Sequence, residues 1–303
     1  MMFFADLSRG RPFAKDPAVV FFAGRYLMYY SICAYGDGRP GDGFGVGIAE
    51  SSDLDNWTRI GEVPRLTELE KEKGFCAPGA IVLGDVLHLF YQSYGGGPKD
   101  AICHATSRDG VHFEPDPTNP IFRPTGAWNC GRAIDADVIV SGERLLLYVA
   151  TRDPEFKIQK LAVAAAPLDS GFGRDSWTQL CSDSILEPEL EWEGKCIEAP
   201  ALCRHDGKFY LFYGGAYNNS PQQIGCAVSD DGVVWKRISD SPVLPNGKPG
   251  SWNSSESGHP FVFTAPDGKQ HLFFQGNDDM GKTWHLSRRE IHWRDGFPYF
   301  DGE

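Results

Sequence analysis

No run of ten or more residues in this 303-residue chain carries a helical period. The charged segment TELEKEKG, residues 67–74, comes nearest, and it reads as an exposed loop. No apolar stretch approaches the roughly 18 residues that a membrane-spanning helix needs. The opening MMFFADLSRGRPFAKDP lacks the apolar core and small-residue cleavage site of a signal peptide, which predicts a cytoplasmic protein. Positive charge is in deficit: 29 Lys and Arg stand against 41 Asp and Glu, a formal net charge of −12. Such a surface repels phosphate backbones and anionic lipid, which argues against nucleic-acid and membrane partners. None of the eight cysteines forms a CxxC pair or a zinc-type spacing. Scattered through apolar runs, they read as buried free thiols of a reducing compartment.

Turn formers and aromatics are plentiful, with 35 Gly, 21 Pro and 13% Phe, Trp and Tyr. That combination predicts an all-β chain. Five segments share one pattern: DPAVVFFAGRYLMYYS from Asp16, APGAIVLGDVLHLFYQS from Ala77, DADVIVSGERLLLYVAT from Asp135, EAPALCRHDGKFYLFYGG from Glu198 and HPFVFTAPDGKQHLFFQG from His259. Each is an apolar strand, a turn at Gly24, Gly84, Gly142, Gly207 or Gly268, and an aromatic strand. The starts are spaced 61, 58, 63 and 61 residues apart. A second hairpin with an Asp-Gly-type turn and an outer Trp or Phe follows most of them. Four strands per repeat, five times over, predict a five-bladed β-propeller of four-stranded antiparallel blades, occupying residues 1–303 as one domain.

In a propeller the first residue of each repeat lies at one rim of the axial channel. Asp16, Asp135, Glu198 and His259 are therefore expected to converge. Blades ~72° apart place Asp16 and Glu198 ~8–9 Å from each other, the separation of an inverting glycosidase, and Asp135 ~5–6 Å from Glu198. A like charge that close raises a carboxyl pKa. Glu198 is thus the candidate acid for the leaving oxygen, and Asp16 the candidate base for water. His259 is open to a structural, a metal-binding or a substrate-binding role.

On KDPAVV, AIDADVIV, IEAPAL and SGHPFVF the chain resembles glycoside hydrolase family 43. The resemblance implies an inverting propeller enzyme with Asp16 as general base, Asp135 as pKa modulator and Glu198 as general acid. It implies no cofactor for the chemistry, and a calcium ion in the central channel beside His259. Two motifs depart from the family pattern, with Ala136 after Asp135 and Ala199 after Glu198.

Trp128, Asn129, Arg132, Arg152, Trp252, Asn253, Glu256 and His259 are the candidate substrate-binding residues. Trp faces stack on sugars or wedge between blades, and Asn, Arg and Glu bond hydroxyls. Glu256 is also a substitute acid should Glu198 be misplaced. The expected activity is exo-type release of a terminal sugar from a small oligosaccharide, as α-L-arabinofuranosidase first and β-xylosidase second. β-Galactofuranosidase or another glycosidase of this fold, a propeller phosphorylase using Arg132 and Arg152 for phosphate, and a non-catalytic sugar-binding propeller are the alternatives.

Overall fold

A computed structural model describes residues 2–39, 42–70 and 74–300. The described residues form five four-stranded antiparallel sheets, each assembled from four consecutive strands. This is the predicted five-bladed propeller. The inner strands are Lys15–Phe22, Phe75–Leu83, Ile134–Ser141, Ile197–His205 and Glu256–Thr264. Each runs into its neighbour through the expected turn, with φ between 61° and 85° at Gly24, Gly84, Gly142, Gly207 and Gly268. A side chain there would be strained, because L-residues rarely adopt that conformation.

The second hairpins of blades two and four are held by a Ser-x-Asp device. Asp109 Oδ1 accepts from the amides of Val111 and His112 at 2.8 Å each, and Asp231 Oδ1 does the same for Val233 and Val234 at 2.8 and 2.9 Å. Ser107 and Ser229 brace the same turns through their hydroxyls. Aliphatic and aromatic side chains of facing sheets fill the spaces between blades, with Tyr29, Tyr91, Tyr148, Phe212 and Phe273 fully buried.

The segment ahead of the first blade closes the ring. Phe4 and Leu286 exchange backbone hydrogen bonds of 2.9 and 2.8 Å, and the Ser287 hydroxyl donates to the Met2 carbonyl at 2.7 Å. Ala14 donates to the Trp284 carbonyl at 3.1 Å, so residues 4–14 lie along the fifth blade before the first begins.

The TELEKEKG segment departs from the expected exposed loop. Glu68–Glu70 form a single 3-10 turn, and residues 71–73 lie outside the described set. Glu70 is fully buried and takes the Tyr91 hydroxyl at 2.7 Å and the Thr67 amide at 3.0 Å. The same tether recurs as Glu193 with Tyr213 at 2.7 Å and Asp6 with Tyr30 at 2.8 Å. A charged string reads as solvated, but here one carboxylate in it anchors the approach to an inner strand.

The distal halves of all five inner strands line an apolar cavity of about 630 Å³ that includes Val20, Ile81, Ile139, Val262 and Asp137. Asp137 Oδ2 accepts the Leu202 amide of the next blade at 2.7 Å. Burial pushes its carboxyl up to about 7. The unfolded chain releases that proton near 4, so folding stability falls as pH rises from about 4 to about 7 and is level above that. Asp137→Asn keeps the acceptor and removes the charge. It is expected to stabilise the protein by roughly 1–3 kcal/mol at pH 8 and hardly at all at pH 4, by urea unfolding. An equal effect at both pH values would mean that the charge is not the cause.

Candidate active site

All five inner strands break register near their start, at Lys15/Ala18, Cys76/Gly79, Ile134/Asp137, Glu198/Ala201 and Gly258/Phe261. The first residue of each bulge is left-handed without being glycine: Asp16, Ala77, Asp135, Ala199 and His259, with φ from 44° to 53°. Each such residue costs on the order of 1–3 kcal/mol, which surrounding contacts must offset. Side chains from the preceding blade receive four of the strained amides. Gln275 takes Asp16 N at 3.0 Å, Ser31 takes Ala77 N at 2.8 Å, Gln92 takes Asp135 N at 2.9 Å and Gln222 takes His259 N at 2.9 Å. Two of the five bulge residues are alanine, so the bulge belongs to the fold and the side chains carry the chemistry.

The bulge corrects the repeat phase. Ala199, and not Glu198, is the counterpart of Asp16, Asp135 and His259. Glu198 stands one position earlier, level with Lys15, Cys76, Ile134 and Gly258. Its extra methylene, from a strand position one earlier, still brings its carboxyl into the electrostatic reach of Asp135 and His259. Asp16, Asp135, Glu198 and His259 are all buried, at 7–9% exposure.

His259 organises the cluster. Its Nε2 lies 3.4 Å from Asp16 Oδ1 and 3.4 Å from Asp135 Oδ1. Burial opposes its charge, but the flanking carboxylates of Asp16 and Asp135 outweigh it and raise the imidazole to about 9. Asp16 is affected in the opposite sense. Burial alone would raise it, yet His259, the Lys15 ammonium and the Ser31 hydroxyl hold it below the usual carboxylate range. Glu198 is pushed up, first by burial and then by the Asp135 charge. Gln222 donates to Glu198 Oε1 at 2.6 Å, Gln159 donates to Oε2, and the Cys196 thiol approaches Oε2 at 3.5 Å. Asp135 Oδ2 is buried without a partner. Glu198 is thus biased toward its protonated form and Asp16 toward its ionised form.

Four of the proposed pocket residues are engaged elsewhere. Trp252 packs on Phe274, with ring centroids 5.7 Å apart, and covers Gly276. Trp128 packs against the apolar cluster shared by blades two and three, with Lys160 5.2 Å above its ring. Both indoles act as wedges. Asn129 braces its own loop through Thr125 and Gly131, and Asn253 bonds the Ser257 hydroxyl at 2.8 Å. These short amides are spent on backbone and neighbours. Arg132 and Arg152 both reach Gln159 Oε1, at 3.2 and 2.9 Å, and so stand one amide away from Glu198.

Glu256 is fully buried behind Asp16. It accepts Gln275 Nε2 at 2.7 Å and the Asn219 amide at 2.6 Å, and burial lifts it to about 7. It sets the Gln275 amide that receives Asp16.

Lys15, Gln159, Gln222 and Gln275 escaped the sequence reading. Lys15 Nζ donates to Asn218 at 2.8 Å, lies 4.0 Å from Asp16 Oδ1 and sits 4.4 Å over the Trp284 ring. Burial works against its charge, but Asp16, Glu256 and Glu198 keep the ammonium protonated. The amides left a trace in the repeats, where Ser31, Gln92 and Gln275 follow the aromatic pair of the second strand. Blade four has Gly214 there, and Gln222 fills the room that a Gly214 side chain would take, with its Cδ 2.9 Å from the glycine's notional Cβ.

The calcium expected beside His259 is not shown by this donor set. Among the described residues no His, Cys, Asp and Glu group has the form of a metal site.

A propeller with acids gathered at its axis is the scaffold of a glycoside-cleaving enzyme. The model of glycosyl hydrolases family 43 matches residues 10–298, and the chain belongs to that family. A thermostable family-43 glycoside hydrolase superposes with a TM-score of 0.76 at 20% identity, over 96% of this chain and 93% of the other. An α-L-arabinofuranosidase from Lactobacillus brevis gives 0.72 at 16% identity, over 96% of both chains. An endo-1,4-β-xylanase from Bacteroides thetaiotaomicron gives 0.71 at 23% identity, over 96% and 94%. In sequence, a β-1,2-mannobiose phosphorylase from a Thermoanaerobacter strain is 29% identical over 141 residues, which are 41% of this chain and 44% of the relative.

The folded-state pKa of His259, about 9, lies above its ordinary 6.5. Its contribution to stability is therefore complete below pH ~6.5 and is lost as pH rises through about 9. Urea unfolding of wild type and His259→Gln should differ most at pH 6 and converge above pH 9. A gap that widens with pH would overturn this charge assignment.

Proposed function

We propose that the protein is an inverting, exo-acting glycosidase that releases a terminal pentose from a short oligosaccharide, an arabinofuranose in the first instance and a xylose in the second. The observation that carries it is the opposite bias of two carboxyls in one well. Glu198 is pushed toward its protonated form by burial and Asp135, while His259 and Lys15 hold Asp16 ionised.

The residues then divide the reaction as follows. As the C1–O bond stretches, Glu198 gives its proton to the leaving oxygen. Asp16 takes a proton from the water that attacks C1 from the other face, so the anomer inverts. Asp135 keeps Glu198 protonated in the resting enzyme. The unpartnered Asp135 Oδ2 is an acceptor for a sugar hydroxyl. Family membership and the arabinofuranosidase and xylanase named among the structural relatives are in keeping with a pentose. The β-1,2-mannobiose phosphorylase relative, together with Arg132 and Arg152 beside Glu198, favours phosphorolysis as the second reading.

Glu198→Gln on an unactivated pentosyl disaccharide and Asp16→Asn on an activated pentoside should each lower kcat at least a hundredfold while leaving circular dichroism unchanged. Near-normal turnover in either would reassign that role. Proton NMR of the first product should show the inverted anomer, and retention would end the mechanism. Asp135→Asn removes the like charge beside Glu198, so its pKa falls. The alkaline limb of the kcat/KM profile is then expected to move to lower pH, and an unmoved limb would remove Asp135 from that role.

A further inference from the structure

The cluster of Arg132, Arg152, Gln159 and Glu198 is more elaborate than binding a neutral sugar requires. Gln159 is buried, and its backbone amide is fixed to the Lys195 carbonyl at 2.9 Å. Its side-chain oxygen receives Arg152 Nε at 2.9 Å and Arg132 Nη1 at 3.2 Å, and its nitrogen donates to Glu198. One amide thus ties two guanidinium groups to the Glu198 carboxyl. Arg132 meets Asp100 at 3.5 Å. Arg152 meets no carboxylate at ion-pair distance among the described residues. It rests 4.3 Å from the Phe156 ring and 5.2 Å from the Tyr217 ring, with the Phe156 carbonyl 3.4 Å from Nη1. The Nε of Arg132 is buried without a partner. Each guanidinium carries five donors in a rigid fork, and here several are unspent.

We propose that Arg152, with Arg132 behind it, forms an oxyanion subsite beside Glu198, and that its ligand is a carboxylate on the leaving portion of the substrate. This rests on the glycosidase reading above. Two half-buried guanidinium groups that share one acceptor repel each other, and an oxyanion between them removes that repulsion and fills the free donors. A planar carboxylate suits the Arg fork. The side of the well decides where the oxyanion is carried. A phosphate nucleophile must attack from the face opposite the acid, where blade one presents Asp16 and Lys15. The arginines stand on blade three, against Glu198, which protonates the leaving oxygen. The anion therefore travels with the departing sugar, and the substrate is a pentosyl uronate.

The test compares a pentosyl-galacturonic acid with the matching pentosyl-galactose. The wild type is expected to show a KM at least tenfold lower for the acidic disaccharide, and Arg152→Gln to bring the ratio close to one. Equal KM values in the wild type would overturn the subsite and leave the glycosidase reading standing. Cleavage of neither would overturn the glycosidase reading. Calorimetry of galacturonate against galactose on the wild-type protein then decides the subsite alone, with a tenfold preference supporting it and none overturning it. Inorganic phosphate is the second arm. Glycosyl phosphate among the products would make phosphate the anion and overturn the uronate assignment.

Discussion

Charges carried to a shared axis must be balanced within a few ångströms, because water is scarce there and the Coulomb energy is poorly screened. In this propeller the balance falls to one imidazole. His259 of blade five faces carboxylates from blades one and three at equal distances of 3.4 Å. Asp16 and Asp135 can both lie at the axis only because a cation lies between them. Glu198, on blade four, has no such close partner, and its two oxygens are met by the neutral amides of Gln159 and Gln222. Neutral donors stabilise a carboxylate less than a cation does. The contrast between an ion-paired acid and an amide-held acid accompanies the opposite directions in which the two carboxyls are shifted.

The surrounding polar residues serve that contrast at one remove. Glu256 holds Gln275, and Gln275 holds the strained amide of Asp16. Gln222 serves two of the central residues at once, receiving His259 N and donating to Glu198. Removal of this single amide would free a left-handed backbone and an acid together. Much of the chain's polar burial is thus committed to orientation. The tyrosine tethers to Asp6, Glu70 and Glu193 do the same for the approaches to blades one, two and four.

The fold was legible because apolar strands, turn glycines and a sixty-residue repeat all state the same thing. The carboxylates were legible as residues but not in their exact phase. The repeat pattern sets Glu198 opposite Asp16, whereas the bulge common to all five inner strands sets Ala199 there. The pocket wall was least legible. Trp252 and Trp128 were placed by proximity in sequence to the site, yet an indole packs equally well between sheets, and there the interior decided. Gln222 was hidden because it stands in for a side chain that Gly214 lacks, a substitution across space that no single repeat displays. Lys15 was read only as the residue ahead of Asp16, although its own side chain turns toward the same carboxylates.

The backbone clasp between Phe4 and Leu286 joins the first blade to the last. Every member of the charged cluster except Asp135 lies within one blade of that seam. The cluster thus sits beside the junction where the segment from Phe4 to Ala14 lies along the fifth blade. The opening segment therefore ties together the two blades whose Asp16 and His259 approach to 3.4 Å.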